Sequence, residues 1–312
     1  MLPRRGLFLL LSSAHMRAAA ILGLGCSAKD LLPFQADHSI EWRLGMPAVD
    51  DQVDVVLVLG GDGTVHRHLG NLVKRRAPVL VVPAGSGNDF ANSLGLGRVR
   101  DSLAAWQKFS SGAENLHCVD LGWIRSVTEA AGPGSDVGRF FCCVAGVGFD
   151  GAVARRANNL PRWLRRHGGY ALSVLPTIFT FSALPLTLVA CTATSDRPDW
   201  VVRNEQPTLL AAFANAPLYG GGMRVAPKAK MDDGLLDVCL VERVHPMKLF
   251  SLFPTVYVGR HLRIPEVHYF QTGCVRVETE EPADVYADGE HVCQTPVEVS
   301  VRAGALRVVI PG

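Results

Sequence analysis

The sequence predicts two domains: a doubly wound, Rossmann-like α/β domain over residues 1–117 and an antiparallel, β-sandwich-like domain over residues 118–312. The length of 312 residues exceeds the usual size of one domain. Strands and helices alternate in the first part, whereas short strand-like segments separated by turn residues fill the second. Hydrophobic residues make up 48% of the chain, enough to build a buried core in each part.

A sheet is predicted in the first domain from apolar runs at 17–23, 53–59 and 78–82. Such runs are typical of parallel strands buried on both faces. Segment 39–44 alternates in polarity like a further strand. Helices are expected at 29–35, at 65–76 and from about position 90. Strands and helices that alternate in this way favour a parallel sheet.

The second domain is predicted from short strand-like segments, among them FFCCVAGVGF, LPLTLVACTAT, PTLLAAFANA, LLDVCLVERV, CVRVETE and VEVSVRA. One helix is expected at 162–181, and GPGSD at 132–136 is typical of a loop.

The N-terminal residues 1–16 have a basic start and a short apolar run that weakly resembles a signal peptide. The run is too short to span a bilayer, so we expect a tail, or a true start at Met16. No other stretch of the sequence reaches about 18 uninterrupted apolar residues. Eight scattered cysteines without a CxxC pair favour free thiols in a reducing cytosol. We therefore expect a cytoplasmic protein.

The formal net charge of +2 does not support nucleic-acid binding through a strongly basic surface. We expect no nucleic-acid partner.

Residues 60–64 read GGDGT and follow the apolar run 53–59. A glycine-rich turn after a buried parallel strand places main-chain N–H groups at the carboxyl edge of the sheet, where α/β proteins bind ligands. The glycines let the backbone approach a phosphate, and the next helix directs its positive end toward it. Asp62 would repel a phosphate, so it indicates a bridging Mg²⁺ or a part in proton transfer. The alternative is a tight turn without a ligand.

A second loop, PAGSGND at 83–89, also lies between an apolar strand and a helix. Two such loops on neighbouring strands would form one phosphate and nucleotide cradle, in which Ser86 can donate its hydroxyl. Asn88 either contacts the ligand or caps the next helix, and Asp89 is the other capping candidate. Neither loop is a P-loop or a dinucleotide fingerprint, which disfavours a Rossmann dehydrogenase.

Five motifs occur in a fixed order: GGDGT at 60–64, PAGSGNDFA at 83–91, GVGFDGAVA at 146–154, NAPLYGGGMRVAPKAKMDDGLLDV at 215–238 and YADGE at 286–290. Together they closely resemble the diacylglycerol kinase catalytic-domain family, which includes bacterial lipid kinases and has sphingosine and ceramide kinases as relatives. The resemblance covers roughly 17–310. GGDGT alone is not specific, because NAD kinases share it, whereas the long fourth motif with YADGE is more discriminating.

The resemblance implies an active site in the cleft between the domains and transfer of the ATP γ-phosphate to a lipid hydroxyl, most simply that of a diacylglycerol-like acceptor. Glu290 matches the family's proposed proton acceptor, Asp288 lies beside it, and Asp62 is expected near the metal-bound phosphates. These three are the candidate catalytic residues. The candidate nucleotide-binding residues are Gly60, Gly61, Asp62, Gly63, Thr64, Gly85, Ser86 and Asn88.

Bacterial members also carry Mg²⁺ near their DDG turn, which here implies the Asp233 carboxylate with the main chain of Lys230 and Leu235. A turn exposes the carbonyl groups that a hard cation requires. ATP and Mg²⁺ are therefore the expected cofactors. Asp150 is the residue of the GVGFD motif best suited to touch the substrate head group.

The sequence departs from the family in two places. The first strand ends in GLGCSAK at 23–29, without the usual Asn-Pro, and Val65-His66-Arg67 stands where Asn-Glu usually follows GGDGT. We expect His66 at the surface of its helix. These departures keep open a weak or inactive nucleotide- or lipid-binding member of the family. An NAD kinase-like enzyme is a further alternative, which would need no apolar groove.

Segment 162–166 (RWLRR) combines arginines with an indole, a composition suited to anionic headgroups. The apolar residues after it are expected either to line an acyl-chain groove or to form a core helix: Tyr170, Leu172, Val174, Leu175, Ile178, Phe179 and Phe181. The expected partner is a lipid substrate at a membrane surface, with peripheral association at the inner face. The sequence leaves open whether the protein is a monomer or a homodimer.

Overall fold

A computed structural model describes residues 16–48, 50–127, 137–161, 169–191 and 199–312. The predictions for 1–15, for the loop 132–136 and for the basic segment 162–166 lie outside the described residues. Among the residues described, no helix is both long and apolar enough to cross a membrane.

The N-terminal sheet is parallel, as predicted, with the strand order β2-β1-β3-β4. Its strands are β1 (Arg17–Leu22), β2 (Glu41–Leu44), β3 (Val55–Gly60) and β4 (Val79–Pro83). Every residue of β3 and β4 is buried, which explains their uninterrupted apolar sequence. The carboxyl ends of these two strands meet at one edge, where GGDGT and PAGSGND begin.

Four helices accompany this sheet: α1 (Ala28–Leu31), α2 (Asp62–Arg75), α3 (Asp89–Ser93) and α4 (Val99–Ser110). Helix α2 begins three residues earlier than predicted, because Gly61 is extended and serves as its N-cap. The helix expected from about Phe90 is two helices, which the turn at Gly95 (φ 75°) separates.

The C-terminal part has two antiparallel sheets. One has the order β15-β14-β7-β10-β11-β12 and the other β6-β5-β16-β13-β8-β9. The strands are β5 (Leu116–Ser126), β6 (Arg139–Phe141), β7 (Val144–Gly148), β8 (Leu184–Cys191), β9 (Trp200–Asn204), β10 (Pro207–Ala214), β11 (Leu236–Glu242), β12 (Val267–Thr272), β13 (Cys274–Thr279), β14 (Asp284–Ala287), β15 (Glu290–Gln294) and β16 (Val297–Val309). A shared core that includes Phe141, Phe213 and Val299 lies between the sheets.

Within the described ranges, three helices interrupt these strands: α5 (Phe149–Asn158), α6 (Gly169–Thr180) and α7 (Pro246–Leu252). Two short 3₁₀ segments, Phe253–Val258 and Arg260–Arg263, follow α7. Only α6 was predicted. Helix α5 follows its strand directly through Gly148, whose φ of 98° allows the abrupt turn.

The last strand joins the two parts of the molecule. β16 pairs with β5 and β13, and near its end Val308 pairs in parallel with Val79 of β4. The predicted boundary between residues 117 and 118 falls inside β5, and as a domain boundary it stays a prediction.

Candidate active site

Asp62 opens helix α2 at the edge of the N-terminal sheet. Its carboxylate accepts hydrogen bonds from the main-chain N–H groups of Asp89 and Phe90, both at 3.0 Å. Desolvation raises the pKa of Asp62, an effect that these N–H groups oppose. The GGDGT loop is thereby tied to the start of α3, so the two glycine-rich loops form one unit.

Two glycines in this unit leave room for the side chain of Thr64. A Cβ on Gly23 or on Gly60 would approach the Thr64 side chain to 2.4 or 2.6 Å. Thr64 therefore packs against the carboxyl ends of β1 and β3, which accounts structurally for the last residue of GGDGT.

The second loop is closed by Asn88, whose φ of 56° is left-handed. Its amide accepts a hydrogen bond from Gly85 N–H and donates one to Gly85 carbonyl, both at 2.8 Å. Asn88 is the N-cap residue of α3, but its side chain makes no capping bond. The side chain therefore shapes the loop, and Ser86 at its tip is exposed.

Asp89 links this unit to the C-terminal part. Its carboxylate accepts hydrogen bonds from the N–H groups of Gly221 (2.8 Å) and Gly222 (2.9 Å). Burial and the neighbouring Asp62 charge raise the pKa of Asp89 to about 6, against the opposing effect of these two bonds. The YGGG turn of the fourth motif is thus an anchor for Asp89.

The YADGE motif forms a tight hairpin between β14 and β15, with Asp288 (φ 49°) and Gly289 (φ 84°) at the turn. The Asp288 carboxylate accepts bonds from the N–H groups of Cys142 (2.8 Å) and Cys143 (2.9 Å). It also lies 3.0 Å from Nδ1 of His66 on α2. The turn therefore leaves the Asp288 side chain in contact with both the β-sandwich and helix α2.

Only 9% of the His66 side chain is exposed, so the expectation of a surface helix residue was wrong. The reason is its position one helical turn after Asp62, on the side of α2 that meets the Asp288 turn. Burial lowers the pKa of His66, but the hydrogen bond and charge of Asp288 and the charge of Glu290 outweigh it, so the net pKa is raised.

Glu290 is exposed and lies at the N-terminal end of α2, where a Cβ on Gly63 would be 3.8 Å from its Oε1. It lines a groove of about 620 Å³ together with Arg67, Lys74 and Arg139. These three cationic side chains make this groove suited to an anion.

The cleft proper has a volume of about 190 Å³ and gathers residues from all five motifs. Asp62 and Ser86 line it from one side, and Asp150 and Asp288 from the other. Several carboxylates around one small space repel anions unless a cation accompanies them. The arrangement therefore suits a phosphate that arrives with a metal ion.

An apolar cavity of about 90 Å³ lies next to the cleft, and Tyr219 lines both. Phe149, the neighbour of Asp150, lines it at the cleft end, and Leu249 and Phe253 line it from α7 and the 3₁₀ segment. Of the residues predicted to line an acyl groove, those whose side chains the structure describes do not line this cavity. Val174 and Ile178 are in the core, whereas Leu172, Leu175 and Phe179 are exposed.

The predicted metal residues lie at a turn away from the cleft. Asp233 Oδ1 accepts a bond from Leu235 N–H at 3.1 Å, and the other oxygen lies 3.4 Å from the Gln271 amide. Asp237 lies close enough for the Asp233 charge to act on it. Among the described residues no three Asp, Glu, His or Cys side chains converge as metal ligands. The all-oxygen donors of the turn fit a hard cation held by few carboxylates.

Sequence reasoning missed three residues. Asp89 was considered only as a cap, His66 was expected at the surface, and Asp120 was not considered. Asp120 is buried and accepts bonds from the N–H groups of Gly234 and Gly304, both at 2.7 Å, so it fixes the DDG turn. The spacing of Asp62 and His66 could have revealed His66, whereas the Asp89 and Asp120 contacts join distant segments and leave no local signal.

An α/β part joined to a β-sandwich-like part is the fold class of this protein, and comparisons with known proteins show its family. The diacylglycerol kinase catalytic domain matches residues 37–124, and the YegS C-terminal NAD kinase beta sandwich-like domain matches residues 143–310. The diacylglycerol kinase of Mycobacterium tuberculosis is 34% identical over 264 residues, which cover 85% of this chain and 79% of that protein.

Two solved structures show the same fold. A diacylglycerol kinase from Bacillus anthracis superposes with a TM-score of 0.61 at 18% identity, covering 95% of this chain and 97% of that one. An NAD kinase from Archaeoglobus fulgidus in complex with ATP superposes with a TM-score of 0.52 at 14% identity. The match covers 95% of this chain and 94% of that one. The chain belongs to the diacylglycerol kinase family of lipid kinases.

Proposed function

We propose that the protein transfers the γ-phosphate of ATP to the hydroxyl of a diacylglycerol-like lipid, with Mg²⁺ as the accompanying ion. The observation that carries this proposal is the junction at Tyr219, where the carboxylate-lined cleft meets the apolar cavity. A polar reacting end and an apolar tail could lie on either side of that residue.

The nucleotide phosphates would bind at the two glycine-rich loops. Gly60, Gly61 and Gly63 keep the backbone free of side chains, and the α2 N-terminus favours negative charge. Thr64 and residues 85–88 would hold these main-chain groups in position. Ser86 is exposed and could donate its hydroxyl to a phosphate. Phosphoryl transfer depends mainly on such positioning and on charge neutralisation.

Glu290 is the proposed proton acceptor. The lipid hydroxyl gives its proton to the Glu290 carboxylate while its oxygen bonds to the γ-phosphorus, and the bond to the bridging oxygen of ADP breaks. Asp288 fixes the turn that carries Glu290, and Asp62 lies where the metal-bearing phosphates would be. Because Glu290 is exposed, its carboxylate is accessible to an acceptor hydroxyl.

Mg²⁺ would supply positive charge that offsets the phosphates and the carboxylates of the cleft. At the DDG turn, the Asp233 carboxylate and the main-chain carbonyls of Lys230 and Leu235 would hold a further ion. Asp120, which holds Gly234, would keep that turn in place.

The lipid is proposed to reach the cavity from a membrane surface. Leu172, Leu175 and Phe179 of α6 and Met247 and Phe250 of α7 are exposed, and we call these five residues the apolar patch. Phe179 and Phe250 lie 6.2 Å apart between ring centres, so the two helices form one surface.

The inner side of the same region lines the apolar cavity, through Leu249 and Leu252 of α7. A volume of about 90 Å³ holds only a short apolar segment, so the rest of each acyl chain would stay in the bilayer. Exposed Arg243, Arg260 and Arg263 flank this region in the chain and suit anionic headgroups. Peripheral association at the cytoplasmic membrane face follows from this proposal.

A second candidate is a family member that binds nucleotide and lipid without transfer. It rests on the altered loop at 23–29, where Cys26 N–H bonds to Gly23 carbonyl at 3.0 Å in a short turn. An NAD kinase-like activity is disfavoured by the apolar cavity, which a ribose acceptor does not need.

The test is an acceptor panel. Purified protein, γ-labelled ATP and Mg²⁺ are incubated with mixed micelles of diacylglycerol, ceramide, sphingosine or a polyprenol, and separately with NAD⁺. Label in phosphatidic acid supports the proposal, and label in another lipid changes the acceptor. Label only in phosphorylated NAD⁺, or ATP binding without transfer, would reject it in favour of one of the alternatives.

A further inference from the structure

The His66–Asp288 pair joins two parts of the chain that are far apart in sequence. His66 lies on α2, in the N-terminal part, and Asp288 lies in the hairpin of the β-sandwich. The pair is well shielded, with 9% and 2% of the two side chains exposed and 3.0 Å between Nδ1 and Oδ2. A shielded polar contact of this kind is far stronger than one at the surface.

We propose that His66 is a positioning residue for phosphoryl transfer: it holds the Asp288–Gly289 turn, and through it Glu290, at the N-terminal end of α2. The proposal rests on the proposed function, in which Glu290 accepts the proton. His66 itself need not touch a substrate.

The turn needs support because Asp288 has a left-handed backbone, which is unfavourable for a residue with a Cβ. Three N–H groups from residues 142–144 satisfy its carboxylate from within the β-sandwich. These bonds fix the turn relative to β7, but not relative to α2. The hydrogen bond between His66 and Asp288 fixes the turn relative to α2.

Glu290 is where the position of the turn matters. It begins β15 two residues after Asp288, and its Oε1 faces Gly63, one turn before His66 on the same helix. A hairpin held on α2 keeps this carboxylate at a constant distance from the glycine-rich loop. Freed from α2, the hairpin would still be paired in the sheet, so the fold would survive.

The charges around His66 favour its protonated form. Asp288 and Glu290 face it from the hairpin, and Asp62 precedes it on α2. Arg139 of β6 opposes them, and Arg67, Lys74 and His291 line the same groove. The net effect of Asp288 and Glu290 raises the pKa of His66 above 6.5 despite burial. Loss of this proton at higher pH weakens the contact with Asp288.

The experiment compares His66→Ala and His66→Asn with the wild type, with His68→Gln as the matched control. His68 lies two residues further along α2, outside the groove and the cleft. In His66→Ala, we expect kcat to fall about 10- to 100-fold while KM for ATP stays within about twofold, because misplacement of a catalytic group affects the chemical step. His66→Asn restores an amide donor, so it should recover most of kcat.

The pH profile separates positioning from general stability. The wild type and His68→Gln should lose kcat on an alkaline limb, and His66→Asn should lack that limb because its amide does not titrate. Folding of each variant is checked by circular dichroism. Wild-type kcat in His66→Ala across the pH range, or the same alkaline limb in His66→Asn, would overturn the proposal.

A second readout does not depend on activity. The imidazole of His66, followed by NMR, should titrate above 6.5 in the wild type and at lower pH in Asp288→Asn. An unchanged titration of His66 in Asp288→Asn would overturn the contact itself. If His66 titrates as expected but no acceptor is phosphorylated, the proposed function fails and the role in catalysis fails with it, while the contact stands.

Discussion

Gly61 and Gly85 face each other across the two glycine-rich loops. A Cβ on Gly85 would lie 2.6 Å from the Gly61 Cα, and a Cβ on Gly61 would lie 2.9 Å from the Gly85 Cα. Both distances are shorter than real side chains allow. The two loops can therefore meet only as glycine against glycine, and Ser86 and Asp62 then line the same cleft.

Gly85→Ala should separate the loops. We expect a loss of unfolding free energy of about 1–3 kcal/mol, typical of overpacking, and a larger proportional loss of phosphoryl transfer, about 10- to 100-fold. Urea unfolding and a lipid phosphorylation assay measure the two effects.

Gly70→Ala is the matched control, because Gly70 is exposed in α2 and its added Cβ would meet nothing within 4 Å. It should stabilise the protein by about 0.5–1 kcal/mol through helix propensity. Equal activity of Gly85→Ala and Gly70→Ala would show that loop contact is unimportant.

The meeting of the two glycine-rich loops could be predicted from the sequence. Buried strands followed by GGDGT and PAGSGND placed both loops at one sheet edge, and β3 and β4 confirm the parallel pairing. Helix α5 was missed because FFCCVAGVGF was interpreted as a strand up to Phe149, and the start of the helix there depends on Gly148, whose φ is positive. Contacts that join distant segments, such as Asp89 with Gly221, left no trace in local periodicity.

Asp89 should make stability depend on pH between about 4 and 6. Its carboxyl has a pKa of about 6 in the folded protein and 3.8 as the ordinary value, so the folded state binds the proton more tightly. The stabilisation is complete below about pH 4 and is lost as the pH rises through about 6, and it amounts to about 3 kcal/mol.

Asp89→Asn removes this titration, so its unfolding free energy should fall less than that of the wild type between pH 4 and 6. Urea unfolding at several pH values gives the difference, and Glu280→Gln serves as an exposed carboxyl control. Parallel pH curves for wild type and Asp89→Asn would contradict the raised pKa.

The apolar patch should bind membranes. Phe250→Ser removes a ring that is 46% exposed and pairs with Phe179, so sedimentation with vesicles that contain anionic lipid should fall about tenfold or more, given about 1.5–3 kcal/mol for burying such a side chain. Stability should change little.

Val202→Ser on β9, where Val202 is 52% exposed, is the control outside the patch. Equal vesicle binding of both variants and the wild type would move the membrane contact to another surface.

The most direct test of the whole account is lipid phosphorylation by Glu290→Gln. This change keeps the size of the side chain and removes the proton acceptor, and Glu280→Gln controls for the loss of one exposed charge. We predict that Glu290→Gln keeps the fold and ATP binding but loses transfer by about 10²-fold or more, while Glu280→Gln matches the wild type. Wild-type transfer in Glu290→Gln would contradict the assignment of Glu290 and, with it, the reaction geometry proposed for this cleft.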